Sequence, residues 1–257
     1  MTNAHRIRQP RVAEIIAARL RDDILSGRLK EGDVLPSQDG LLAEFGVSPP
    51  ALREAIHILE TDGLISVRRG NMGGAIVHQP SADRTAHMIS MVLQARSATP
   101  ADVSGALLHL EPICASMCAA RADRITEVVP HLEDEIRRQI DEFDDPARYV
   151  PNARRFHETI VSRCGNEPMI LLIGSLELIW SAHESSVWGD ETGADPMNDK
   201  TMRAALRDHQ RLLDAIRDGN QSRAAKLAAD HLAVARRNTL AAGTDKTIEA
   251  KLISDVQ

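Results

Sequence analysis

The stretch Pro36-Ser37-Gln38-Asp39-Gly40-Leu41-Leu42-Ala43-Glu44-Phe45-Gly46-Val47-Ser48-Pro49-Pro50-Ala51-Leu52-Arg53-Glu54-Ala55 contains two helix starts separated by a glycine turn. Ser37 is an N-cap candidate because its hydroxyl can accept an orphan backbone N–H, and Leu41, Leu42 and Phe45 then share one buried face. Gly46-Val47 makes the turn. Ser48 caps the next helix, Pro49 and Pro50 fall in its first turn, where a missing N–H costs little, and Ala51, Leu52, Ala55, Ile56 and Leu59 continue it until Asp62-Gly63.

Upstream, Val12, Ile15, Ile16, Leu20 and Ile24 predict a helix over about 11–26, ending at Ser26-Gly27, followed by a short extended stretch, Leu29 to Leu35. Downstream, Leu64-Ile65-Ser66-Val67, Arg68-Arg69-Gly70 and Ala75-Ile76-Val77 predict a two-stranded hairpin with a basic tip. Helix, helix, turn, helix and hairpin make a winged helix-turn-helix. Its third helix presents N-terminal residues to the DNA major groove, and arginines at the hairpin tip can hold phosphate or enter a narrow groove.

The remaining composition agrees with a helical protein. Among 257 residues only six are aromatic, too few for a sandwich or barrel built on aromatic cross-strand pairs. Cys114, Cys118 and Cys164 form no Cys-x-x-Cys pair and no closed disulfide framework, so reduced buried thiols are expected. The N-terminus lacks a signal-like apolar core and no apolar run reaches spanning length, so a cytoplasmic protein with no membrane partner is expected. Residues 1–80 hold ten Lys/Arg and ten Asp/Glu, whereas 81–257 hold twenty-one against twenty-seven. The net charge of -6 therefore resides wholly in the second section and leaves the first free to bind DNA.

The organisation read from these patterns is a basic arm at 1–9 (with Arg6 and Arg8, and Arg11 just beyond it), a DNA-binding domain at 10–78, and a linker with one helix at 79–99. An all-α domain follows at 100–242, then a tail at 243–257. Helical periodicity after residue 81 predicts helices near 82–96, 100–122, 125–143, 146–164, 167–187, 199–218 and 221–241. The fold class is mainly α: three helices plus a hairpin wing, then a bundle of six to seven helices.

Pro36-Ser37, Phe45-Gly46-Val47-Ser48, Leu52-Arg53-Glu54-Ala55, Leu59-Glu60-Thr61-Asp62-Gly63-Leu64-Ile65, Arg69-Gly70 and Gly73-Gly74-Ala75-Ile76-Val77 together resemble the GntR family of bacterial transcription regulators. The resemblance implies that Arg53 reads a base or phosphate, that Ser48 anchors a phosphate, and that Arg68, Arg69 and Gly70 form the wing contact. Pro49 and Asp39 stand where the family usually or often has arginine.

The second section resembles the FadR-type effector domain called FCD, through Leu110-Glu111-Pro112, Ala119-Ala120-Arg121-Ala122, Phe156-His157, Gly165-Asn166 and two later histidines. That resemblance implies a divalent metal, zinc or nickel, held by His157, His209 and His231. The family's aspartate, one helical turn before the first histidine, is Ala153 here, with Asn152 beside it, and Leu107 replaces an arginine common in relatives. Two readings stay open: a three-histidine metal site completed by water or effector, or a metal-free polar pocket. His109, Asn166 and His183 are further candidates for the effector pocket.

The expected function is a ligand-responsive repressor that binds a two-fold operator as a homodimer and responds to an organic acid or acyl derivative. The alternative is a metal-dependent hydrolase using the histidines with Glu158 or Glu184. No His-Glu-x-x-His, Gly-x-Ser-x-Gly or phosphate loop supports it.

Overall fold

The computed structural model describes residues 11–68, 74–188, 199–241 and 247–250, and the chain divides into two compact units, Met1–Ser81 and Ala82–Gln257. The first contains α1 (Val12–Leu25), α2 (Gln38–Phe45), α3 (Pro49–Thr61), β1 (Ile65–Arg68) and β2 (Gly74–Val77). Its core gathers Ala13, Ile16, Ala17, Leu20 and Ile24 from α1, Leu41 from α2, Leu52, Ala55 and Leu59 from α3, and Leu35, Leu64, Ile65 and Val77 from the extended segments. The α1 face is shifted from the one the large side chains suggest. Val12 and Ile15 are 52% and 57% exposed, because small Ala13 and Ala17 form the centre of the face packed toward α3.

Ser37 caps α2 as its position predicts, its Oγ accepting the Gly40 N–H at 3.2 Å. The helix stops at Gly46, whose φ of 63° is left-handed and lets its N–H return to the Leu42 carbonyl. β1 and β2 pair antiparallel from Ile65↔Val77 to Arg68↔Gly74. The segment before α2 joins them through a Val34↔Ile76 bridge, with the Leu35 N–H donating to the Ala75 carbonyl at 2.8 Å. This added edge explains Gly74: a Cβ there would stand 2.8 Å from Val34 Cγ1.

All secondary-structure elements among the described residues of the second unit are helices: α4 (Ala82–Ala95), α5 (Pro100–Ala120), α6 (Arg124–Glu127), α7 (Val129–Asp141), α8 (Pro146–Ser162), α9 (Glu167–Trp188), α10 (Asp199–Arg217) and α11 (Gln221–Ala241). The single helix expected over 125–143 is instead α6 and α7, broken at Val128 (φ -122°, ψ -57°). Pro130 is the physical reason, since its ring lacks an N–H for the Thr126 carbonyl and collides with it in a continuous helix. At the centre, α5 packs against α8, α9, α10 and α11. It is the one described helix long and apolar enough to cross a membrane, and half of its most apolar stretch is buried in the unit. Cys114, Cys118 and Cys164 are free, buried thiols. The expected tail includes a docked piece: Ile248 is buried in the core and its N–H donates to the Ala98 carbonyl at 2.9 Å.

Candidate functional site

In the first unit, Ser48 is at the N-cap of α3, but its exposed hydroxyl makes no cap bond. Pro49 and Pro50 remove two of the N–H groups that a helix start normally offers an anion. Arg53 is one turn further along, exposed, and without an ion pair among the described residues. Its neighbour Glu54, which would repel phosphate, faces Arg11 at 3.5 Å, giving that arginine a role on α3 rather than on a free arm. Arg68 is exposed at the end of β1. Arg69 and Gly70, like arm residues Arg6 and Arg8, lie outside the described residues.

In the second unit three helices bring three imidazoles to one point. His157 comes from α8, His209 from α10 and His231 from α11, and all are buried. Their Nε2 atoms form a nearly equilateral triangle, with His157–His231 at 3.2 Å, His157–His209 at 3.2 Å and His209–His231 at 3.1 Å. Phe156 stacks on the His209 ring, with centroids 4.3 Å apart, and forms an apolar wall.

The outer nitrogens determine what the inner ones carry. His157 Nδ1 is 2.5 Å from Glu111 Oε1, and His209 Nδ1 is 2.8 Å from Gln139 Oε1. His231 Nδ1 faces Asp208 Oδ2 at 3.7 Å. The accepting oxygens at 2.5 and 2.8 Å set Nδ1 of His157 and His209 to donate. Burial first, then the Arg154 charge, holds His157 well below the usual histidine range; burial, then His231, does the same for His209. A neutral ring protonated at Nδ1 has a bare lone pair at Nε2. His157 and His209 each aim such a lone pair at the point where His231 Nε2 also converges.

Behind His157 is a buried charged cluster. Arg154 from α8 pairs with Glu177 of α9, and Glu111 Oε2 is 3.9 Å from the same guanidinium. Burial, opposed by Arg154, raises both Glu111 and Glu177, and Glu177 lies well above the carboxylate range. Sequence reasoning missed Glu111, Gln139, Arg154, Glu177 and Asp208. A signal did exist for two of them: Glu111 and Glu177 are each the lone acid of a long apolar stretch (103–120 and 168–183), a position seldom held without a buried partner.

Other candidates are elsewhere. His109 is exposed on α5, two residues and so about 200° around the helix from buried Glu111. Asn166 caps the start of α9, its Oδ1 accepting the Met169 N–H at 3.1 Å. His183 is half-buried beside Trp180, outside the triangle. Glu158 accepts a hydrogen bond from Ser181 at 2.9 Å, and the side chain of Glu184 lies outside the described residues. Leu107 is buried in the apolar core. Ala153 offers no ligand atom, and its neighbour Asn152 is spent on a hydrogen bond to Glu142.

The chain matches the model for bacterial regulatory proteins of the gntR family over residues 12–73 and that for the FCD domain over residues 102–234. It is 27% identical over 237 residues to the HTH-type transcriptional regulator Mce2R of Mycobacterium tuberculosis, an alignment that covers 90% of this chain and 92% of that one. It is 25% identical over 227 residues to the HTH-type transcriptional repressor NanR of Klebsiella aerogenes, covering 86% and 83% of the two chains. The solved structure of a Streptococcus agalactiae GntR protein is similar in fold, with a TM-score of 0.66, 24% identity and coverage of 88% of this chain and 99% of that one.

Proposed function

Because the chain belongs to the GntR family of bacterial transcription regulators and carries an FCD domain, we propose that it is a dimeric repressor controlled by an organic-acid effector at a metal on His157, His209 and His231. It is a DNA-binding regulator with an effector-binding domain, not an enzyme. The relatives named as repressors support the sign of regulation. A regulator of this kind acts in the cytoplasm.

The observation that carries the metal reading is the triangle of converging Nε2 atoms. Zinc or nickel bonds at about 2.0–2.1 Å require donors roughly 2.8–3.0 Å apart in an octahedron and roughly 3.3–3.4 Å apart in a tetrahedron. The observed separations of 3.1–3.2 Å fall between these values, and neutral imidazole suits both metals. A bound ion would supply open positions that accept a carboxylate. The chain's own residues orient the rings, exclude water through Phe156 and fix the tautomers through Glu111 and Gln139.

On DNA, Arg53 reads the major groove, Ser48 anchors a phosphate, and Arg68 with Arg69 and Gly70 makes the wing contact. The homodimer is supported by α4, where Met88, Met91 and Val92 form an exposed apolar stripe suited to a second copy. The effector acts by binding the DNA-competent and released arrangements with different affinity, since equal affinity would switch nothing.

The test is metal analysis of protein purified without an affinity tag, together with selection of DNA fragments by the full chain. Zinc or nickel near one equivalent, lost in His209→Ala, is expected, along with a two-fold symmetric sequence. Wild-type protein with no affinity for either ion removes the metal from this reading.

A further inference from the structure

We infer that Glu111 supplies the negative charge of the histidine centre, one hydrogen bond behind the metal position, in place of a carboxylate at Ala153. The inference rests on reading His157, His209 and His231 as metal ligands. Ala153 is one turn before His157 on α8, on the side where a carboxylate could join the rings, and it has no donor. The next residue, Arg154, is only 8% exposed and puts a positive charge close to the rings. Left alone, that charge would repel a cation.

Glu111 reverses this balance. It is 0% exposed, it is the lone acid between Asp102 and Arg121 on α5, and its Oε1 accepts the His157 Nδ1–H at 2.5 Å. Its other oxygen faces Arg154 at 3.9 Å, and Glu177 completes the ion pair from α9, so the cation beside His157 is answered by acids. The three rings have unequal partners. Behind His209 is a neutral amide, Gln139. Behind His231 is Asp208, at 3.7 Å and with a side chain 35% exposed, where water and salt weaken it. Only Glu111 combines a short hydrogen bond with a dry carboxylate. An imidazole whose N–H leans on a carboxylate is a stronger base at its far nitrogen and holds a metal more tightly. The charge thus acts through a ring, and the positions not filled by histidine remain open to an anionic effector.

The test is competition for zinc between chelator-stripped, untagged full-length protein and a chromophoric chelator, with wild type, Glu111→Gln and Asp208→Asn. Glutamine keeps an oxygen for the His157 N–H and removes only the charge. Zinc affinity should fall about 10–100-fold in Glu111→Gln and by a smaller factor in Asp208→Asn. Nitrogen NMR of the histidines should show the same His157 tautomer in wild type and Glu111→Gln, separating charge from ring placement. Affinity in Glu111→Gln within about twofold of wild type, or no weaker than in Asp208→Asn, overturns the role of Glu111. Gln139→Glu tests the same principle without touching Glu111: a buried carboxylate behind His209 should tighten zinc about tenfold, and no tightening counts against the inference. Absence of zinc affinity in wild type instead removes the metal reading itself, and this inference with it.

Discussion

The exposed start of α3 and the histidine centre hold polar side chains under opposite physical conditions. Ser48 and Arg53 stand in water, and Arg53 has no ion pair among the described residues. His157, His209, Glu111 and Glu177 are almost wholly buried, each in contact with another polar group. Water and salt screen the first set, so its residues contribute little to folding and can be specialised for a partner. In the dry interior each lost partner leaves an unanswered charge or donor. Function and stability are therefore separable on α3 and inseparable in the bundle.

The strongest way to break this contrast is at Arg154. Replacing it with methionine strands two buried acids and should cost about 3–5 kcal/mol of stability, measured by denaturant unfolding of the full chain. The double replacement Arg154→Met with Glu177→Leu should recover part of that loss, because an apolar pair leaves no stranded partner. A single replacement that costs less than about 1 kcal/mol would show that the cluster is not closed to water.

Acid is the next lever. His157 and His209 have folded values well below the unfolded 6.5, so their contribution is complete above about pH 6.5 and is lost as pH falls toward the folded values. The metal-free protein should lose about 1.4 kcal/mol per pH unit for each ring below that point. A flat stability profile between pH 6.5 and 5 would contradict the neutral, Nδ1-protonated assignment.

The smallest expected effects on stability belong to α3, where the effect on binding is larger. Arg53→Ala should weaken operator binding by about 1–3 kcal/mol and relax base preference, while unfolding shifts by no more than about 0.5 kcal/mol. Ser48→Ala should weaken binding to all sequences alike and leave its salt dependence nearly unchanged, because a neutral hydroxyl displaces no counterion from the phosphate. Binding by Arg53→Ala equal to wild type would remove the proposed base-reading role from that residue.

Much of the fold could be read from local chemistry. Ser37 caps α2, Gly46 ends it, Pro49 and Pro50 open α3, and Thr99 with Asp102 closes a capping box before Pro100. These signals act within one turn, which is why they are legible in a single chain. The errors arose where neighbours intervened. Val12 and Ile15 are larger than Ala13 and Ala17, yet close packing favoured the alanines. Ile248 looked like tail and instead fills a gap in the bundle core. His109 and Asn166 sit in suggestive company in sequence, but helix rotation turned one to solvent and a cap claimed the other.

By itself the sequence determined the helical content and the winged helix-turn-helix, because periodicity, caps and motif order are local, while the three histidines that meet were named through the resemblance to the FCD domain. Only the tertiary structure decided what stands behind those histidines. Glu111, Gln139 and Asp208 come from three different helices, α5, α7 and α10, and His157 is 46 residues from its acid partner. Tautomer and charge depend on what each nitrogen faces across a dry interior, and packing alone settles that.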